Sequence, residues 1–148
     1  MKIAIVYTSL AHGNTEKVAE AMTDETGADL IKTADANAEA LAGFDLIGFG
    51  SGIYNSQHDK RIFDLVAGMR PSQAQRVFTF STSGYGVTKP NEKLNKELKA
   101  KGFNFVGTFA CKGFDTYGVN KLYGGAAKGH PDEEDLKLAR AFVKNLAS

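Results

Sequence analysis

The stretch from Lys2 to Thr15 constrains the fold most. Ile3, Ala4, Ile5, Val6 and Tyr7 make a nearly unbroken apolar run, as expected of a strand buried on both faces of a parallel sheet. Thr8-Ser9-Leu10-Ala11-His12-Gly13-Asn14-Thr15 follows as a hydroxyl-rich loop, and Glu16 to Glu25 has a helical pattern. A helix N-terminus presents unpaired N–H groups and the positive end of its dipole, which suits a phosphate. Thr8, Ser9 and Thr15 add hydroxyl donors, and Gly13 lets the backbone come close. The loop holds no lysine or arginine, so neutral donors would have to grip a phosphate there. Plain helix capping uses the same residue types, and both readings stand at this point.

The rest of the chain continues the alternation. Ala28 to Thr33 reads as a short strand and Ala34 to Leu41 as a short helix, and Phe44 to Gly50 is a second fully buried strand. Asp59 to Met69 spaces Ile62, Phe63, Val66 and Met69 as a helix does, with Pro71 just beyond. Arg76 to Ser81 is a strand. Pro90 opens a helix that runs to Lys101 and stops at Gly102, and Phe103 to Cys111 is the fifth strand. The last helix starts near Pro131, has Asp132, Glu133, Glu134 and Asp135 in its first turn, and buries Leu136, Ala139, Val143 and Leu146. Five strands alternating with helices predict an α/β fold, a doubly wound parallel sheet of order 2-1-3-4-5 in a three-layer α/β/α sandwich. Residues 1–148 are expected to form one domain. In such sheets ligands sit at the carboxyl ends of the strands near the switch between strands 1 and 3, which nominates loops 8–15, 51–58 and 82–89.

Composition removes several classes of function. The 148 residues are 43% hydrophobic and 24% charged with a net charge of +1, which argues against disorder and suggests neither nucleic acid nor an anionic membrane as partner. No apolar run is long enough for a membrane span, and the first strand leaves no room for a signal peptide. Cys111 is the single cysteine and has no internal disulfide partner, so the chain reads as cytoplasmic. His12, His58 and His130 lie far apart in sequence, so no metal site is expected.

Motifs narrow the ligand. Neither a Gly-x-x-x-x-Gly-Lys-Ser/Thr loop nor a Gly-x-Gly-x-x-Gly fingerprint is present. The first loop resembles that of the flavodoxin family, Ser/Thr-x-Thr-Gly-x-Thr, which holds the phosphate of FMN. Ser9 matches its start and Gly13-Asn14-Thr15 its end, while His12 stands in place of the middle threonine and the loop is one residue longer. Gly50-Ser51-Gly52-Ile53-Tyr54 with His58 and Lys60 is similar to a short flavodoxin-like group found in many anaerobes, which usually carries glycine where Ser56 stands. The stretches Cys111 to Gly118 and Gly129 to Leu136 resemble the same group, so the likeness spans the chain.

In the second loop Tyr54 could stack on a flavin ring or simply cover the sheet edge. His58 is read as a residue near a helix start rather than a catalytic one. In the third loop, Ser81-Thr82-Ser83-Gly84-Tyr85-Gly86, backbone N–H groups could bond the pyrimidine edge of a flavin and Tyr85 could cover its other face. The two glycines could equally serve only as turns. The segment 114–130, with Phe114, Asp115, Tyr117 and Tyr123, is expected either to wall the cofactor or to cover the surface. Cys111 is read as a small packed residue rather than a nucleophile.

The resemblance implies an electron-transport flavoprotein that binds one FMN without a covalent link. The cofactor-binding residues it suggests are Thr8, Ser9, His12, Gly13, Asn14, Thr15, Ile53, Tyr54, Asn55, Ser56, Thr82, Ser83, Gly84 and Tyr85, with no catalytic side chain. An oxidoreductase of the same fold, acting on a quinone or a haem precursor, is the alternative, and a cofactor-free binding module is a third class. A response regulator needs acidic residues after strand 1 and an aspartate after strand 3. Tyr7-Thr8-Ser9 and Gly48-Phe49-Gly50-Ser51 rule that out. Lys60, Arg61, Lys89, Lys112, Lys121 and Lys128, against Asp59 and Asp115, lie at the carboxyl edge and its flanks; they are either solvated and screened or favour redox partner proteins with an acidic docking face. The chain is expected to be a monomer or a weak dimer.

Overall fold

The computed structural model describes residues 1–9, 13–71, 74–113 and 128–148. In chain order the elements are β1 (Ile3–Thr8), α1 (Asn14–Thr26), β2 (Asp29–Lys32), α2 (Ala38–Leu41), β3 (Leu46–Tyr54), β4 (Gln57–His58), α3 (Lys60–Ala67), β5 (Arg76–Ser83), α4 (Glu92–Lys101), β6 (Asn104–Lys112) and α5 (Glu133–Ala147). Short 3-10 turns at Thr33–Asp35 and Lys89–Asn91 precede α2 and α4. The parallel strands run β2-β1-β3-β5-β6, which is the expected order 2-1-3-4-5, and β4 is an added antiparallel partner of β3.

Helices cover both faces. On one, Ile62 and Val66 of α3, Leu94 and Leu98 of α4 and Leu41 of α2 pack on Val6, Ile47, Phe49 and Val77. On the other, Val18, Ala19 and Met22 of α1 and Ala139 and Val143 of α5 pack on Ile5, Phe78 and Phe80. Leu136 and Leu146 of α5 are only half-buried. Gly48, Gly50 and Gly52 alternate along the second face of β3 and pair in register with Phe78, Phe80 and Thr82 of β5. A Cβ on Gly48 would stand 2.3 Å from the Phe78 ring, and one on Gly50 2.2 Å from the Phe80 ring. The two phenylalanines therefore lie flat across the β3 backbone, and only glycine leaves that space.

The departures from expectation are local. The buried strand expected to stop at Gly50 continues to Tyr54 as β3, and Ile53 to His58 of the expected loop 51–58 form a hairpin. His58 stands next to the Asp59 N-cap of α3, near a helix start as expected, and it also belongs to β4. The helix expected over 34–41 divides into a 3-10 turn and one turn of α-helix, where Asn37 caps the amides of Glu39 and Ala40. Asp132 and Asp135 form a reciprocal capping box at the start of α5. Among the described residues no helix is long and apolar enough to cross a membrane.

Candidate functional site

The first loop begins where β1 delivers Thr8 and Ser9 to the carboxyl edge. Gly13 sits at φ 64°, ψ 26°, a left-handed conformation that glycine adopts without strain, and α1 starts immediately after it with no side-chain cap from that position. The Glu16 N–H donates to Ser9 Oγ at 3.3 Å, and the Thr8 hydroxyl donates to Thr33 Oγ1 at 2.7 Å. Thr15 and Thr82 share a buried hydroxyl–hydroxyl bond of 2.9 Å, which ties the start of α1 to the end of β5. His12 lies outside the described residues.

Beside this loop is a cleft of about 170 Å3 lined by Thr8, Ser9, Glu16, Lys32, Thr33 and Arg61. The cations missing from the loop in sequence thus arrive from the end of β2 and the first turn of α3. Tyr7 closes one side, its hydroxyl donating to Glu16 Oε2 at 2.8 Å. Burial and then the Glu16 carboxylate push the Tyr7 phenol up to about 12, so it stays protonated.

The second loop is a tight hairpin in which Ile53 pairs with His58 and Tyr54 with Gln57. Its two turn residues, Asn55 and Ser56, have φ of 52° and 65°, the left-handed pair of a primed turn. Asparagine tolerates this conformation, whereas serine gives up roughly 1 kcal/mol to adopt it. Several contacts hold the hairpin from below. Ser51 Oγ accepts the Asp59 N–H at 3.0 Å and donates to the Gly52 carbonyl at 2.6 Å. Lys93 Nζ donates to Gln57 Oε1 at 3.0 Å.

His58 is 1% exposed, and its Nε2 donates to the Phe80 carbonyl at 2.9 Å. Burial lowers its pKa to about 4, so the ring is neutral at pH 7 and Nδ1 is left as a buried acceptor without a partner among the described residues. Tyr54 folds back over Gly52, and a Cβ there would stand 2.8 Å from the Tyr54 hydroxyl.

The third loop is organised by Ser83. Its hydroxyl accepts the Gly86 N–H at 3.0 Å, and its carbonyl accepts the Gly113 N–H at 2.9 Å. Gly84 is half-buried, and Tyr85 is 83% exposed. The Asn14 side chain packs on Gly113, where a Cβ would stand 2.9 Å from its Nδ2, so the first loop also touches the end of β6. Cys111 is buried, and burial with the Asp135 and Asp132 carboxylates pushes its thiol up to about 12, which rules out a thiolate nucleophile at neutral pH. Residues 114–127, of the segment expected to wall the cofactor or to cover the surface, lie outside the described residues, Lys121 among them.

His130, Asp132 and Asp135 hold one ligand atom each within 4.8 Å of the others, a grouping that spacing among the histidines alone did not reveal. The capping box engages both carboxylates: Asp132 accepts the Asp135 amide at 2.9 Å, and Asp135 accepts the Asp132 amide at 2.8 Å and meets His130 Nδ1 at 2.6 Å.

Among the described residues that the sequence nominated, Thr15 meets Thr82, Tyr54 lies over Gly52, and Thr8 and Ser9 share one cleft. Sequence reading passed over Lys32 and Thr33, did not bring Arg61 to the first loop, and missed the use of Gly52 as a seat for Tyr54. The three glycines spaced by two along β3 were the visible signal for the last.

The comparisons agree with this geometry. The model of the flavodoxin domain family matches residues 4–114. An uncharacterized protein of Methanocaldococcus jannaschii is 42% identical over 148 residues, covering 99% of this chain and 98% of its own. Among solved structures, a flavodoxin from the domain Archaea superposes with a TM-score of 0.74 at 18% identity over 99% of this chain and 96% of its own. A short-chain flavodoxin associated with a non-canonical PDU bacterial microcompartment gives 0.72 at 14% identity over the full length of both chains. Sheet order, the loops at its carboxyl edge and the family match together make this chain a member of the flavodoxin family.

Proposed function

We propose that this chain is a cytoplasmic electron carrier that works as one domain, holds one FMN at the carboxyl edge of its sheet and exchanges electrons with partner proteins that present acidic surface. The observation that carries the reading is the meeting of three loops at one edge: the Thr15–Thr82 bond joins the first loop to the third, and the Gly52 seat brings Tyr54 of the second beside them.

The donor set fits a phosphate monoester with a flat ring. Ser9, Gly13 and the start of α1 offer neutral donors, and Arg61 and Lys32 supply the charge beside them. Tyr54 presents an aromatic face, and Thr82, Ser83 and Gly84 bring main-chain groups to the opposite loop. FMN, when bound, supplies the redox chemistry by accepting and returning electrons. The chain's own part is to orient the ring and limit its exposure to water. The neutral ring of His58 pins the hairpin to the Phe80 carbonyl, and Ser51 fixes the residues leading into it. Burial keeps the Tyr7, His58 and Cys111 side chains in their neutral forms at pH 7, so none of them adds a charge that would have to move with the electron.

The test is reconstitution. Apo-protein given FMN should turn yellow with a flavin spectrum that bleaches on stepwise reduction and returns on oxidation. Protein that stays colourless with excess FMN would leave the cofactor-free module instead.

A further inference from the structure

A second cleft, of about 580 Å3, opens between the hairpin turn and the start of α4. Ser56 forms one wall and Lys89, Lys93 and Lys96 line the other, with Val87 and Glu92 between. The spacing of four and then three residues places the lysines in one stripe along the 3-10 turn and α4. All three are exposed. Among the described residues none of them is paired with a carboxylate: Lys93 reaches the Gln57 amide at 3.0 Å and lies 5.5 Å from the centre of the Phe63 ring. Three ammonium groups therefore share a cleft whose single carboxylate belongs to Glu92. Val87 is 49% exposed and adds an apolar contact.

We propose that this cleft receives an acidic segment of a redox partner, a run of aspartates or glutamates that also carries an apolar side chain for Val87. The proposal rests on the electron-carrier reading and gives the acidic partner a place to dock. Three facts favour it. A cleft where three ammonium groups outweigh one carboxylate focuses a positive field and speeds encounter with the opposite sign. The cleft is too large for one small anion, and its lysines match carboxylates repeated along a chain. Its near wall is Ser56, at the turn of the hairpin that also carries Tyr54, so a segment seated there brings the partner against the edge where the flavin is held.

The experiment uses a fluorescent peptide alternating glutamate and leucine, titrated into wild type and the K89Q/K93Q/K96Q variant, each with and without FMN. Wild type should bind at low salt, and the triple substitution or ~0.15 M salt should each weaken binding roughly tenfold. NMR shifts in wild type should cluster at Ser56, Val87 and the first turns of α4. Equal peptide affinity in the two proteins overturns the proposal, as do shifts confined to another face. An oligothymidine that binds more tightly than the peptide would assign the cleft to nucleic acid and overturn it as well. Because the peptide is also titrated without FMN, a failure to bind FMN counts against the electron-carrier reading alone, and the peptide result still decides the cleft.

Discussion

Strand β3 and the turn that ends it use glycine in opposite ways. Along the strand, Gly48, Gly50 and Gly52 occupy positions where the backbone is ordinary and only space is short, because Phe78, Phe80 and Tyr54 lie across them. At the turn the backbone enters the left-handed region twice in succession, yet Asn55 and Ser56 stand there. Glycine is used where volume demands it and is absent where conformation would favour it. The strand is thus packed to its limit, while the turn carries conformational strain. The strain persists because β4 is tied down by buried contacts, with His58 as the main one.

The largest effect should come from filling the space. Gly50→Ala puts a methyl group inside the contact distance of the Phe80 ring, which is fully buried and has nowhere to turn. It should lower unfolding free energy by about 3 kcal/mol, read from a denaturant midpoint. Gly52→Ala makes a useful control, since the obstructing atom is the mobile end of the Tyr54 side chain. A smaller loss at Gly50 than at Gly52 would contradict the packing argument.

The pin beneath the turn should make stability depend on pH. His58 has a folded pKa of about 4, below the ~6.5 of an unfolded histidine, so the unfolded chain binds more protons between those values. Its contribution is fully present above pH 6.5 and is lost as pH falls toward 4. Between pH 7 and pH 5 the loss should be about 2 kcal/mol. His58→Gln keeps an N–H for the Phe80 carbonyl and cannot titrate, so its stability should fall less over that range. Parallel pH curves for the two proteins would remove His58 as the source.

The left-handed turn supplies a third test, with the opposite sign. Ser56→Gly relieves a conformation that costs a side chain roughly 1 kcal/mol and should raise stability by up to that amount. A loss of stability would mean that Ser56 earns its place through a contact rather than tolerating strain.

These contrasts also explain what could be read in advance. Ile3 to Tyr7 and Leu46 to Gly50 announce buried strands because both faces are covered and nothing polar interrupts them. The extension of β3 through Ser51-Gly52-Ile53-Tyr54 was not legible, since Gly52 reads as a turn residue and its reason is a ring folded back from Tyr54. Gln57-His58 carries no strand pattern of its own. It becomes β4 because Ile53 and Tyr54 lie opposite and the Phe80 carbonyl accepts from His58. The first loop was legible as a polar βα turn, but its cations were not, because Lys32 and Arg61 come from two other elements. Charge gathered by topology leaves no spacing signal in the chain.

The smallest expected effect concerns those cations. Arg61→Gln should weaken FMN binding about threefold at low salt and less at ~0.15 M salt, the size of one partly screened charge on a phosphate. Riboflavin, which lacks the phosphate, should bind both proteins equally. An equal loss for the two ligands would place Arg61 against the ring instead.

The most direct test of a flavin held by one phosphate-sized loop at the carboxyl edge is a fluorescence-quenching titration of apo-protein with FMN, FAD and riboflavin. Binding should saturate at one FMN per chain, with FMN held more tightly than riboflavin and than FAD. FAD binding as tight as FMN, or riboflavin indistinguishable from it, would contradict a phosphate held at the start of α1.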